Sequence, residues 1–184
     1  GTTGRAVGGY KLRIVDEKDL DVETGGMGEL LMSGPSSAVC YWGQPEKSVQ
    51  TFQGEWTRSG DKYYQDNQGY YVYCGRTDDM LKVGGIWVSP FEVESAMIAD
   101  ERVLEVAVIG YKDDLGLVKP KAYVVLKAGV EKTSELVEEL QKFVKGRLAL
   151  FKYPRRIEFI DVLPKTATGK IQRYKLRNQD SDQP

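Results

Sequence analysis

The stretch Ser134-Glu135-Leu136-Val137-Glu138-Glu139-Leu140-Gln141-Lys142-Phe143-Val144-Lys145-Gly146-Arg147-Leu148 decides the class of fold. Leu136, Val137, Leu140, Phe143, Val144 and Leu148 recur at helical spacing and form one apolar stripe. Glu135, Glu138 and Glu139 lie near its N-terminal end, and Lys142, Lys145 and Arg147 near its C-terminal end, which complements a helix dipole. Apolar runs of strand length precede it at 103–110 and 122–126, and 155–161 reads as a third strand after it. Upstream, Ser89-Pro90-Phe91-Glu92 reads as a helix start, with Ser89 as cap, Pro90 in the first turn and Glu92 at the capping-box position. Strands interleaved with helices predict a small α+β unit of roughly 100 residues, an ordinary domain size.

Towards the N-terminus the character changes. Residues 10–16 alternate, with Leu12 and Ile14 on one face, and Gly28–Ser33 is a short apolar strand after the turn signal Thr24-Gly25-Gly26. Residues 45–52 suit a short helix with Pro45 at its first position. Residues 55–58, 62–64 and 70–73 read as strands, with Asp66-Asn67-Gln68-Gly69 as the hairpin turn between the last two. The expected fold class is therefore α+β: a β-rich subdomain over residues 1–77, then a small α+β domain over residues 78–184 with a short sheet flanked by helices.

Composition narrows the chemistry. The chain has 184 residues, 26 Lys+Arg, 27 Asp+Glu and no His, so it contains no His-based triad, His metal ligand or imidazole base. Cys40 and Cys74 are too few for a disulfide scaffold or a four-thiolate zinc site, and no metal site is expected. No apolar run approaches the ~20 residues of a membrane span, and the opening residues are not a secretory signal. A cytoplasmic location with reduced thiols and no membrane contact is expected. The net charge of −1 hides an asymmetry, because acids dominate up to residue 141 and bases from 142 to 177. A basic stretch on an acidic body suggests an anionic partner: nucleic acid, a phosphorylated small molecule, or simply solvent.

Three short segments look chemical. In Trp56-Thr57-Arg58-Ser59-Gly60-Asp61, a carboxylate after a glycine turn can accept hydrogen bonds from a sugar diol, although a surface turn with a solvated Asp fits equally well. Gly75-Arg76-Thr77-Asp78-Asp79-Met80-Leu81-Lys82-Val83-Gly84-Gly85 combines both charge signs with glycines at the domain border, as a hinge would, or as any charged interdomain loop would. Pro164-Lys165-Thr166-Ala167-Thr168-Gly169-Lys170-Ile171-Gln172-Arg173 presents Lys on a Thr/Gly loop, among five basic residues from 165 to 177 and no acids, which suits an oxyanion or phosphate, or is a flexible basic tail; it lacks the Walker spacing.

In this order and spacing the three segments resemble the motifs W/Y-R-T/S-G-D, G-R-x-D-D-x-x-K-x-x-G and P-K-T-x-x-G-K of the adenylate-forming superfamily, which includes acyl- and aryl-CoA synthetases. The text around 51–58 and 79–90 looks closest to benzoate-CoA ligases. The resemblance implies a fragment: the β subdomain that closes a large N-terminal ATP- and acyl-binding domain, followed by a mobile C-terminal domain. Family members are much longer, and nothing here is similar to their phosphate-binding Ser/Thr/Gly loop.

The implied reaction has two steps. A benzoate-like aryl carboxylate attacks the α-phosphate of Mg-ATP, with magnesium held through the ATP, giving acyl-AMP and pyrophosphate. Coenzyme A then displaces AMP. By similarity, Lys170 bridges carboxylate and α-phosphate, Asp61 and Arg76 hold the ribose hydroxyls, and Asp78 is the hinge. Gly84 and Gly85 lie where the pantetheine arm passes, and Lys82 serves the second step. The implied partners are the carboxylate, ATP, CoA, the large N-terminal domain, and a protein acetyltransferase acting on Lys170. An acceptor on a carrier protein, another acyl substrate, or a non-catalytic nucleic-acid module are the alternatives. The absence of a nucleic-acid motif and the clustering of aromatics away from the basic stretch weigh against the last.

Overall fold

The computed structural model describes residues 2–181 and separates into two compact units, Gly1–Asp78 and Asp79–Pro184. Among the described residues no helix is long and apolar enough to cross a membrane.

The first unit is one antiparallel sheet. Strands β1 (Lys11–Val15), β2 (Gly28–Ser33), β4 (Trp56–Gln65) and β3 (Phe52–Gln53) lie in that order, and β5 (Tyr71–Arg76) also pairs with β4. Helix α1 (Pro45–Thr51) starts on its proline, as expected. The separate strands expected at 55–58 and 62–64 are instead one ten-residue strand, β4. Gly60 lies inside it at φ 70, a conformation open to glycine without a Cβ penalty, so the glycine bends the strand rather than ending it. Ile14, Val15, Leu30, Leu31 and Cys74 are its buried apolar residues.

The second unit is built on a three-stranded sheet, β10 (Arg156–Phe159), β9 (Val118–Leu126) and β8 (Val103–Lys112), in that order. Strands β8 and β9 form an antiparallel hairpin, whereas β9 and β10 run parallel, so the chain must cross over between them. Helix α3 (Ser134–Lys145) makes that crossover, buries Leu136, Leu140 and Val144, and is capped by Thr133, whose side chain accepts from Leu136 N–H. The helix stops short of Leu148, which packs against the same core from the following turn. Helix α2 (Pro90–Ile98) starts as its sequence indicates, with Ser89 Oγ accepting from Glu92 N–H at 3.2 Å.

Besides the two-residue strand β3, two elements were not expected. The segment read as a hinge loop contains a hairpin, β6 (Leu81–Val83) and β7 (Ile86–Val88), closed by Gly84 at φ 58 and Gly85 at φ 84. Positive φ at both central residues is the two-residue turn that matches strand twist. The tail after Lys170 is helical, α4 (Arg173–Ser181).

Alternation along the sheet divides the core. Val106, Val108, Ala122 and Val124 face one side, with α2, α3 and the β6–β7 hairpin, which contributes Leu81, Val83 and Val88. Ala107, Ile109, Tyr123 and Val125 face the other, against Leu163, Leu176 of α4 and Ile171. Leu140 and Met97 are fully buried; truncating either to Ala would cost about 2–5 kcal/mol in lost transfer energy and cavity.

Candidate active site

In the first unit the register of β4 with β5 sets Asp61 opposite Arg76. Arg76 Nη1 donates to Asp61 Oδ1 at 3.1 Å and to the Ser59 carbonyl at 3.3 Å. Asp61 N–H donates to Ser59 Oγ, which in turn donates to the Leu30 carbonyl at 2.7 Å, so the carboxylate rises from a locally pinned backbone. A Cβ on Gly60 would come within 3.0 Å of Arg76 Nη2; the missing side chain lets the guanidinium lie across the strand. A bulge between Lys62 and Tyr63 directly follows, and bulges re-aim side chains. Arg76 remains half exposed, so the pair keeps donors and acceptors facing solvent. Asp78, exposed, lies 3.5 Å from Arg76 Nε. Arg58, in the same motif, is used up structurally: it pairs with Glu29 at 2.7 Å and with Asp19.

In the second unit, Lys82 is on β6 with its ammonium 5.0 Å from the centre of the Trp87 ring across the hairpin. Gly84 and Gly85 form the tip, and a Cβ on either would meet nothing within 4 Å. Their identity is demanded here by backbone conformation, not by crowding from the surrounding chain.

Lys170 ends a tight turn. Thr166 N–H donates to the Lys170 carbonyl at 2.8 Å, Lys170 N–H to Thr166 Oγ1 at 3.1 Å, and Gly169, at φ 81, donates to the Thr166 carbonyl. Residues 165–170 are all exposed. Neighbouring Lys165 is tied to Glu105 at 2.5 Å, whereas no ion pair to the Lys170 ammonium occurs among the described residues. The structure thus brings Asp61 to Arg76, and Lys82 to the two glycines. It holds Lys170 apart from Lys82, on an element packed against the opposite face of the sheet.

A cluster that the motifs did not single out lies beside the Lys170 turn. Arg173 Nη2 donates to both oxygens of Glu94, at 2.7 and 2.8 Å, and Nη1 to Asp79 Oδ2 at 3.4 Å. Arg177 reaches Asp79 Oδ1 at 2.8 Å, and Glu94 Oε1 also accepts from Val108 N–H at 2.8 Å. Burial pushes the Glu94 carboxyl up, and the Arg173 charge works against that rise. A sequence signal existed for Asp79, as the second acid of the Asp78-Asp79 pair, and for Arg173, as one of the basic residues of the segment 164–173; nothing in the sequence pointed to Glu94.

Part of the basic stretch 142–177 is satisfied internally. Lys152 donates to both oxygens of Glu92 at 2.7 Å, and Lys145 and Arg155 each sit 4.2 Å from the Tyr153 ring centre. No cluster of His, Cys, Asp or Glu able to hold a metal occurs among the described residues.

Comparison with known proteins follows the same lines. Residues 92–170 match the family described as AMP-binding enzyme C-terminal domain. Benzoate–CoA ligase of Thauera aromatica is 61% identical over 97% of this chain, and 4-hydroxybenzoate–CoA/benzoate–CoA ligase of Rhodopseudomonas palustris 53% over 96%. The chain covers 34% and 33% of those proteins, about a third of their length. Among solved structures, an anthranilate CoA ligase in complex with anthranoyl-AMP superposes with TM-score 0.92 at 49% identity over 98% of this chain and 35% of its own. A benzoate CoA ligase from Burkholderia xenovorans LB400 gives TM-score 0.87 at 56% identity over 96% of this chain and 35% of its own. With the three motifs, the two-sided α+β unit and these likenesses together, the chain belongs to the adenylate-forming superfamily of acyl- and aryl-CoA synthetases and carries its AMP-binding enzyme C-terminal domain.

Proposed function

We propose that this chain works as the C-terminal part of an ATP-dependent aryl-CoA ligase that adenylates a benzoate-like carboxylate and passes the acyl group to CoA. The observation that carries the reading is the 61% identity to a benzoate–CoA ligase across 97% of the chain. In this reading residues 1–77 close a large ATP- and acyl-binding domain, residues 78–184 form the mobile domain, and Asp78 is the pivot. A cytoplasmic location is part of the same reading.

The chemistry follows from charge. Adenylation brings a carboxylate anion to a phosphate anion, and a carboxylate cannot acylate a thiol until it carries a leaving group. An ammonium placed between the two offsets the charge that develops, an effect that contributes several kcal/mol in a water-poor site. Lys170 is suited to this, since it stands on a hydrogen-bonded turn with no competing carboxylate among the described residues. Asp61 and Arg76 offer an acceptor and a donor side by side for the ribose diol. Magnesium enters as the counter-ion of ATP.

The second half-reaction needs the lysine gone and the thiol admitted. Elements bearing Lys170 and Lys82 pack on opposite faces of one sheet, so a rigid unit presents them to one substrate only by turning. That supports assigning Lys170 to adenylation and the Lys82–Gly85 hairpin to thioester formation. None of the relatives named above points to an acetyltransferase, and acetylation of Lys170 is not part of the reading.

The test is pyrophosphate release and acyl-CoA formation by the full-length protein with ATP, CoA and a panel of aryl and alkyl carboxylates. Benzoate-dependent activity is expected, and Lys170→Ala should lower acyl-AMP formation by about 10²–10³. Undiminished acyl-AMP formation in that variant would overturn the reading. Generic nucleic-acid binding with a steep salt slope would favour the basic-module alternative.

A further inference from the structure

The Lys170 turn itself is exposed, and only the residues flanking it, Leu163 and Ile171, pack against the sheet. Residues 165–170 are exposed, so the direction of the ammonium depends on the two ends of the turn. One end is seated by Leu163, which is 2% exposed, and by the Lys165–Glu105 pair. The other continues through Ile171 and Gln172, whose N–H closes on the Pro164 carbonyl at 2.8 Å, straight into α4. Helix α4 is very polar and is seated by Leu176 and by the ion pairs of Arg173 and Arg177.

Those pairs lead to two distant parts of the unit. Glu94 belongs to α2 and is itself fixed on the edge of β8 through Val108 N–H. Asp79 is the first residue of the unit, directly after Asp78. Arg173 touches both carboxylates. A buried ion pair is a poor device for stability, since its desolvation offsets much of the attraction, and it is a good one for direction, because a bidentate fork fixes angle as well as distance.

We propose that Arg173 is a positioning residue for Lys170: its bonds to Glu94 and Asp79 hold the turn at a set angle to the start of the unit. The proposal rests on the adenylation role assigned to Lys170 above. It places part of what aims Lys170 in Arg173, Glu94 and Asp79.

Two half-reactions measured separately in the full-length ligase test it: single-turnover acyl-AMP formation, and transfer to CoA from supplied acyl-AMP. Arg173→Gln is expected to slow the first by about 10- to 100-fold, the order that a misplacement near 1 Å costs, and to leave the second essentially unchanged. Arg173→Lys, which keeps the charge but not the fork, should recover part of the loss. Adding Arg173→Gln to Lys170→Ala should slow adenylation no further, because the group being positioned is already absent. Should Arg173→Gln fail to fold, Asp79→Asn carries the test, with a smaller loss confined to the same half-reaction. Folded Arg173→Gln or Asp79→Asn with unchanged adenylation, or equal losses in both half-reactions, would overturn the proposal while leaving the role of Lys170 intact. A Lys170→Ala variant that adenylates normally would remove both.

Discussion

Asp61 and Arg76 are cross-strand partners on β4 and β5, and the Arg76 guanidinium donates to the Asp61 carboxylate at 3.1 Å. They are fifteen residues apart in sequence, and only the register of the hairpin brings them together. Since Arg76 is half exposed, the pair contributes little to folding. Its value lies in the lone pairs and N–H groups it leaves available.

Asp61→Asn should therefore raise the KM for ATP by about tenfold, the loss of one charge-assisted hydrogen bond to a diol. The melting temperature should hardly move. A large drop in stability with an unchanged KM would assign the residue to the sheet and not to the nucleotide.

Gly85 separates strain from obstruction. At φ 84 any L-residue costs about 1–2 kcal/mol, yet a Cβ would meet no neighbour within 4 Å. Gly85→Ala and Gly85→Leu share the strain and differ in bulk. Transfer to CoA should fall further for Leu than for Ala, with acyl-AMP formation spared in both; equal losses would leave strain as the whole effect.

Lys82 and Lys170 should give mirror-image phenotypes. Lys82→Ala is expected to slow transfer from supplied acyl-AMP and spare adenylation, and Lys170→Ala the reverse. Rapid-quench measurements with each half-reaction isolated distinguish them, and a Lys82→Ala variant impaired only in adenylation would refute the assignment.

Asp100 sets an acid limb on stability. Its side chain is 6% exposed and bonds Arg102 Nε and Nη2, both at 2.9 Å. The Arg102 hydrogen bonds hold its carboxyl below the usual value of 3.8. A carboxylate depressed in the folded state stabilises above its unfolded pKa, and that stabilisation is lost as pH falls through the folded one. Urea unfolding from pH 6 down to pH 3 should show stability falling below about pH 4, with a shallower acid slope in Asp100→Asn.

What the sequence made legible was what local periodicity and capping control. Gly28–Ser33 coincides with β2, the Ser89-Pro90 start is the start of α2, and the stripe from Leu136 to Val144 is the buried face of α3. The β6–β7 hairpin was missed because three-residue strands carry too little pattern, and its two glycines read as hinge freedom. Helix α4 was missed because it is polar nearly all round, with Leu176 alone fully buried among its described side chains and its other supports charged. The motifs named Asp61, Arg76, Lys82 and Lys170. That Asp61 meets Arg76 is a matter of register, and that Lys82 and Lys170 lie over opposite faces of a sheet is a matter of topology; neither is written in spacing along the chain.

The internal pairing of Lys152, Lys165, Arg173 and Arg177 with Glu92, Glu105, Glu94 and Asp79 bears on handling as well as on chemistry. Cations already matched by carboxylates have few counterions to release to a polyanion. A heparin or phosphocellulose column should therefore retain this chain less than its lysine- and arginine-rich C-terminal text suggests.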